Sequence, residues 1–286
     1  MNAEYDMVII GCGPAGLSAA INAKARNKHV IVLGGNFCSP KLHRSPRIDN
    51  YLGLPGISGE ELRQRFLEHV EKAGVSIRKC KVISVFPQDG SFLIQTEEEE
   101  PYSARAVILA LGVTARTALP GEKEFLGRGV SYCATCDALL YKGKTTAVLA
   151  YEKEAEEEAK VLAGVCQKVY YLPQYKDRPG NSLGDNVEII EAEPTVIEGE
   201  KLVEFLNLEQ ERLQVDGIFI VRESVPVEQL VPGIKMSGKF IQVDSDMAAN
   251  VPGIFAAGDC VGEPFQLAKA VGQGQIAALS AAKYLS

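Results

Sequence analysis

No apolar run in this 286-residue chain approaches the roughly 20 residues that cross a bilayer, so a membrane partner is not expected. Nor is a secretory leader expected at the start: Glu4 and Asp6 precede Met7 to Ile10, and that short apolar run stops at Gly11. There is no basic excess. Thirty Lys and Arg stand against 37 Asp and Glu, a net charge of −7 that argues against nucleic acid as a partner while leaving room for a local basic patch. Histidine is scarce, and His29, His43 and His69 show no ligand spacing. Cysteine is sparse too, and Cys12, Cys38, Cys80, Cys166 and Cys260 are scattered singly. One close pair among seven fits a reducing cytoplasm better than a secreted disulfide scaffold, and it offers no second pair for a zinc site. No metal is therefore expected, and no fixed-period repeat is seen. What remains is ordinary: 46 % apolar and 23 % charged residues, in a chain long enough for about two domains with their own cores.

The close pair is Cys133-Ala134-Thr135-Cys136-Asp137. Two cysteines separated by two residues can close a small disulfide ring. Leu139, Leu140 and Tyr141 suggest that the chain winds into a helix from Thr135. Cys136 then falls in the first turn, where unpaired backbone N–H groups lower a thiol pKa. Asp137 beside it is positioned to give and take the proton of a leaving thiol. The motif reads as redox chemistry, against the blander readings of half a zinc site or two buried structural cysteines.

Taken from the start, Tyr5 to Ile10 reads as a buried strand and Pro14 to Arg26 as an Ala-rich helix. Between them lies Gly11-Cys12-Gly13-Pro14-Ala15-Gly16, a G-x-G-x-x-G in strand–turn–helix context. Gly11 permits the tight turn, Gly13 lets a pyrophosphate approach the backbone, and Gly16 lets helix and strand pack closely. A purely structural glycine turn is the bland alternative. His29 to Leu33 is the next strand; Gly34-Gly35 follows where a ribose-binding acid is usual, leaving that contact unassigned. Ser58-Gly59-Glu60-Glu61 opens a helix as a capping box, with Gly74 at its end. Short strands follow at Ile77, Val82 to Phe86 and Phe92 to Gln95, then a solvated turn at Glu97 to Glu100. Ala106 to Leu111, ending at Gly112, is apolar throughout, as strands in the middle of a parallel sheet are.

A second β–α–β unit follows the cysteines: strand Thr145 to Ala150, helix Glu152 to Ala163, strand Lys168 to Leu172. A second dinucleotide belongs here, and its fingerprint is missing. The turn Ala150-Tyr151-Glu152-Lys153-Glu154-Ala155 has no glycine, and Glu152, Glu154, Glu156, Glu157 and Glu158 crowd the helix start. Acids there satisfy the helix dipole themselves and repel an anion, at about 1 kcal/mol for each close like-charge contact near a surface. The loop Pro173 to Arg178 holds no paired arginines for a 2′-phosphate. Strands around Glu188 to Ile190, Leu202 to Leu208 and Gln214 to Val221 complete this part. Val251 to Asp259 is a strand ending in Gly-Asp, and a helix runs from about Pro264 to Leu285.

Three stretches, Gly11 to Gly16, Cys133 to Asp137 and Ala256 to Asp259, together resemble the low-molecular-weight thioredoxin reductases, and the order of elements extends the resemblance over nearly the whole chain. It implies an α/β fold of two Rossmann-like three-layer domains. Residues 1–113 and 242–286 form an FAD domain discontinuous in sequence, and 114–241 an inserted redox domain. It implies a homodimer. Gly11, Gly13, Pro14, Ala15 and Gly16 are implied to hold the FAD pyrophosphate and Asp259, after Gly258, the ribityl chain. Gln266 and Leu267 set a helix N-terminus at the flavin N1 and O2, where reduced flavin carries negative charge. Gly35, Leu42, Asn50 and Gly112 are implied as further FAD contacts. Cys136 is implied as the flavin-facing thiol and Cys133 as the one that attacks thioredoxin.

The degenerate second site narrows the resemblance to the ferredoxin-dependent flavin thioredoxin reductases, which work without NADPH. A conventional NADPH enzyme, an FAD-dependent dithiol oxidase using oxygen and a non-enzymatic redox-sensing flavoprotein are the rivals. The oxidases tend to carry His where this chain has Asp137. Ferredoxins are usually acidic, and the densest positive stretch to receive one is Lys41-Leu42-His43-Arg44-Ser45-Pro46-Arg47.

Overall fold

The computed structural model describes residues 4–35, 38–97, 100–112, 118–176, 179–180, 183–222 and 225–286. They fall into two compact units: Met1–Ala115 with Pro226–Ser286, and Arg116–Val225.

Unit 1 opens on β1 (Tyr5–Ile10), whose last four residues are buried, with parallel neighbours on both sides. A strand covered on both faces and both edges has no reason to alternate, hence its continuous apolar run. Helix α1 (Pro14–Lys24) starts with Pro14, whose missing N–H lies among donors that have no intrahelical acceptor anyway. Then come β2 (Val30–Gly34), the short α2 (Pro40–His43) and α3 (Gly59–Lys72). Ser58 caps α3 as the sequence pattern predicts, its hydroxyl accepting from Glu61 N at 3.2 Å. Strands β3 (Ser76–Lys79), β4 (Val82–Gln88), β5 (Ser91–Thr96) and β6 (Tyr102–Leu109) follow. The sheet runs β3-β2-β1-β6-β5-β4. The turn expected at Glu97 to Glu100 falls partly outside the described residues.

Unit 2 begins with β7 (Val130–Ser131) and α4 (Ala134–Asp137), continued by a 3-10 turn over Ala138–Tyr141. Then come β8 (Thr145–Ala150), α5 (Ala155–Ala163), β9 (Lys168–Pro173) and β10 (Val187–Ile189). A three-stranded antiparallel sheet of β11 (Pro194–Gly199), β12 (Val203–Leu208) and β13 (Arg212–Gln214) precedes β14 (Gly217–Val221). The parallel sheet has the order β10-β9-β8-β14-β7. Two expectations are corrected here. Helix α5 starts at Ala155 rather than Glu152. Gln214 to Val221 is two strands in two sheets, because Asp216 anchors between them: its N–H donates to Thr145 O (2.7 Å) and its carboxylate accepts from Thr145 N (2.9 Å).

The chain re-enters unit 1 at Pro226, earlier than the expected 242. Helix α6 (Val227–Leu230) packs on β4, and β15 (Met236–Ser237) pairs with β16 (Phe240–Ile241) before β17 (Ile254–Ala256). Strand β17 is shorter than the Val251 to Asp259 expected, and α7 (Leu267–Tyr284) starts later than Pro264. Along one edge of β6 the first half pairs antiparallel with β5 and the second half parallel with β17. Helix α7 lies close on α1: a Cβ at Gly274 would sit 2.1 Å from Ala15 O, and Ser18 Oγ donates to Val271 O at 2.7 Å. No helix among the described residues is long and apolar enough to cross a membrane.

Candidate redox centre and dinucleotide turn

Strand β7 leads directly into the redox turn, where Cys133 and Cys136 form a disulfide. Cys133 is buried and Cys136 exposed. Cys133 is the N-cap residue of α4, and its Sγ accepts from Cys136 N at 3.2 Å. A disulfide sulfur carries no proton, so Thr135 Oγ1, 3.3 Å away, donates to it as well. In the disulfide form these two donors meet at Cys133 Sγ, whereas the sequence placed the helix-start donors at Cys136. Asp137 is held by Ser131, whose Oγ donates to Asp137 Oδ2 at 2.7 Å and accepts from Cys133 N at 3.1 Å. Ala134 N donates to Glu158 Oε2 at 2.7 Å. Glu158 therefore faces the redox turn, where the sequence put it in a crowd of acids at the helix start.

The glycine turn has a shape that only glycine tolerates. Gly11 has φ +111°, and a Cβ there would lie 2.2 Å from Ala110 O; at Gly16 it would lie 1.9 Å from Gly11 O. Gly13, by contrast, faces open space. It caps α1, and no side chain accepts from that helix start. Backbone donors with no side-chain cap, beside a residue without a Cβ, fit an entering pyrophosphate. Gly258 closes the far side, where a Cβ would meet that of Ala15 at 2.9 Å, and Asp259 follows in a 3-10 turn (Asp259–Val261). Lys269 Nζ donates to the carbonyl oxygens of Gly258 and Gly262, and burial lowers its pKa. Gln266 caps α7, and Asn50 Nδ2 donates to Gln266 Oε1 at 3.1 Å; Leu42 and Leu267 share one apolar cluster. Gly35 and Gly112 face open space, the latter at φ +70°.

Sequence reasoning missed a second disulfide. Cys12, inside the glycine turn, is bonded to Cys38, beyond β2. The available signal was topological: loops at the carboxyl ends of adjacent parallel strands come together, and each cysteine lies in one of them. Ser39 Oγ also donates to Cys12 O at 3.1 Å. The other cysteines, Cys80, Cys166 and Cys260, are free thiols and buried. Burial raises the Cys166 pKa and pushes Cys260 up to about 11, which makes both poor nucleophiles. Closing a chain separation of 26 residues constrains the unfolded state by about 3.5 kcal/mol. Cys12→Ser should lower unfolding stability by about that amount in denaturant titrations of oxidised protein, and by far less with reductant present.

At the carboxyl ends of β8, β9 and β14 the chain's own side chains converge. Glu156 accepts from Tyr175 Oη at 3.0 Å and from Gly180 N at 3.3 Å, and Tyr175 Oη lies 3.0 Å from Tyr171 Oη. Just past β14, buried Arg222 is paired with fully buried Glu122, which also accepts from Tyr132 Oη at 2.5 Å. The Arg222 guanidinium lies 5.6 Å from the ring centre of Tyr132 and 5.7 Å from that of Tyr151. Breaking such a buried pair strands a charge. In unit 1 the expected basic patch is interleaved with acids. His43 Nδ1 lies 2.7 Å from Glu60, and Arg47 binds Asp49 through Nε and Nη2, which raises the Arg47 pKa; Arg44 is exposed.

A mixed sheet with a glycine turn after its central parallel strand in one unit and a Cys-x-x-Cys disulfide in the other define a flavoprotein-type disulfide oxidoreductase. The chain belongs to the pyridine nucleotide-disulphide oxidoreductase family, whose model matches residues 5–163 and 183–274. It is similar to thioredoxin reductase of Aquifex aeolicus, at 33% identity over 99% of this chain and 94% of that protein, and of Ureaplasma parvum, at 34% over 100% and 99%. Among solved structures it is similar to a ferredoxin-flavin thioredoxin reductase from Clostridium acetobutylicum (48% identity, 100% of this chain and 98% of the other, TM-score 0.90). A thioredoxin reductase from Gloeobacter violaceus is 31% identical over 98% of this chain and 94% of its own, with a TM-score of 0.80.

Proposed function

We propose that this protein is a ferredoxin-dependent flavin thioredoxin reductase. Electrons pass from ferredoxin through FAD to the Cys133–Cys136 disulfide and on to thioredoxin, without NADPH. One observation carries the reading: at the carboxyl ends of β8, β9 and β14, where a pyridine nucleotide would lie, Glu156 is bonded to Tyr175 and buried Arg222 to Glu122, in the same unit as the Cys133–Cys136 disulfide. Relatives that use ferredoxin, at 48% identity, support it. FAD fits unit 1, with Gly11, Gly13, Pro14, Ala15 and Gly16 at the pyrophosphate, Asp259 at the ribityl chain and the α7 start at the flavin. Gly35, Leu42, Asn50 and Gly112 complete that set. FAD, when bound, accepts electrons singly and passes on a pair. A ferredoxin near −400 mV against thioredoxin near −270 mV leaves roughly 130 mV, about 6 kcal/mol for two electrons.

The residues of unit 2 do the rest. Two electrons and two protons convert Cys133–Cys136 to a dithiol. The Cys133 thiolate, held by Cys136 N–H and Thr135 OH, attacks the thioredoxin disulfide, forms a mixed disulfide and releases one thioredoxin thiolate. Cys136 then attacks the mixed disulfide, the internal disulfide re-forms and the second thiolate leaves. Asp137, fixed by Ser131, exchanges the protons.

A protein substrate must bring its own disulfide to this turn, and the surface next to it is apolar. Leu139 and Leu140 are 78% and 69% exposed, three and four residues past Cys136. Exposed leucines beside a reacting bond are what a protein partner buries. Replacing both by Ser should raise KM for thioredoxin about tenfold or more, while reduction of a small aromatic disulfide stays unchanged. Anaerobic titration decides the whole reading: reduced ferredoxin should bleach the flavin and yield two thioredoxin thiols per two electrons. Oxygen uptake driven by a small dithiol, with no ferredoxin reaction, would instead mark a dithiol oxidase. Homodimerisation and a cytoplasmic location accompany the proposal.

A further inference from the structure

We infer that Glu158 is a positioning residue for the redox pair, acting through Ala134 N–H, a backbone donor of the turn that Cys133 does not serve. The first N–H groups of any helix lack acceptors within it. Cys133 Sγ takes the N–H of Cys136, as an N-cap side chain does at this spacing. Ala134 N–H is left over, and Ala134 is fully buried, so water cannot serve it. Glu158 Oε2 accepts it at 2.7 Å from 24 residues along the chain.

The platform under Glu158 is rigid. Ala155, Ala159 and Leu162, on the same side of α5, are buried in the cluster that also holds Ala134 and Ala138 of the redox segment. The adjacent acids have other work: Glu156 accepts from Tyr175 and Gly180, and Glu157 binds Lys160 at 2.6 Å. Of the three, Glu158 reaches the redox turn. By holding Ala134 N–H it fixes the extended backbone of Cys133 (φ −145°, ψ 106°), the conformation that sets its sulfur over Cys136 N–H and Thr135 OH. Those two donors favour the thiolate of Cys133 once the disulfide is reduced. Without Glu158 the buried amide seeks another acceptor, the turn shifts and the thiolate loses them.

The inference rests on Cys133–Cys136 being the working disulfide. The test uses full-length, FAD-loaded enzyme, wild type, Glu158→Ala and Glu158→Gln, each reduced and alkylated with iodoacetamide across pH. Peptide mass reports modification at Cys133. Glu158→Ala should move the midpoint of Cys133 alkylation up by about one pH unit and slow thioredoxin reduction at pH 7 about tenfold in kcat, with recovery at high pH. Glu158→Gln keeps an acceptor oxygen and should restore the midpoint. An unshifted midpoint in Glu158→Ala overturns the inference, and so does a Gln variant as impaired as Ala. Should Glu158→Ala fail to fold, amide exchange at Ala134 decides: protection in wild type and Glu158→Gln supports the role, and rapid exchange in wild type refutes it. If Cys136→Ser keeps full turnover, the disulfide reading has failed rather than the role of Glu158.

Discussion

Cys136→Ser should capture thioredoxin as a stable mixed disulfide on Cys133 and lose turnover by about 10³-fold or more. The reason lies in the exchange chemistry. Attack by one thiolate creates the mixed disulfide, and only a second thiol placed beside it can resolve it. Cys133 receives the hydrogen bonds of Cys136 N–H and Thr135 OH, which makes it the attacking sulfur in the proposed exchange. It is also buried, whereas Cys136 is exposed. Attack from Cys133 therefore requires the thioredoxin sulfur to reach past Cys136, or the cover over Cys133 to withdraw. Cys133→Ser should lose turnover equally but trap nothing, and leave Cys136 able to perturb the flavin spectrum. Non-reducing gels and mass spectrometry read the outcome; a complex formed by Cys133→Ser instead would exchange the two roles. Asp137→Asn should slow turnover with FAD still bound, and unchanged turnover would remove its part in proton transfer.

NADPH at about 1 mM should leave the oxidised flavin spectrum unchanged, while reduced ferredoxin bleaches it within the mixing time of a stopped-flow experiment; no detectable binding at that level means a free energy weaker than about −4 kcal/mol. Two features of the structure support this expectation. Helix α5 begins without glycine and with Glu156, Glu157 and Glu158 in its first turn, and Glu156 already accepts from Tyr175 and Gly180. The carboxyl end of β14, where a nicotinamide ring would come in, holds the buried Arg222–Glu122 pair with Tyr132 and Tyr151 beside it. Removing Glu156 alone should therefore gain nothing. Rapid bleaching by NADPH would sink the ferredoxin reading and restore a conventional reductase.

Much of this was legible in the sequence because it rests on local rules. Glycine at Gly11 and Gly16 is forced by backbone contacts that any strand–turn–helix of this kind makes, so the spacing alone identified the turn. The Ser58 cap and the buried runs of β1 and β8 follow from patterns a few residues long. What was missed depends on long-range pairing. The hairpin partner β11 and the break at Val215 and Asp216 depend on which sheet each segment joins, and apolar content there does not tell the two sheets apart. Cys12 and Cys38 look solitary until β1 and β2 lie side by side. The acids of α5 read as one repulsive cap, but three of them have three different partners, and only tertiary structure assigns them. The basic stretch also changes in three dimensions: Arg47 pairs with Asp49 and His43 lies against Glu60, contacts that a count of lysines and arginines does not show.

The fork along β6, where β5 and β17 share one edge, bears on the order of events at the ribosome. The glycine turn leans on Gly258 and on Gly274 of α7, both near the end of the chain. As the polypeptide emerges, every residue of unit 2 is synthesised before β17 and α7 exist, so the inserted unit can fold while the one that encloses it still lacks a strand and a helix. The disulfide turn can thus form before the glycine turn has all of its packing partners. A chain cut before Gly258 keeps the Cys133 to Asp137 turn and lacks the glycine and the helix against which the dinucleotide turn packs.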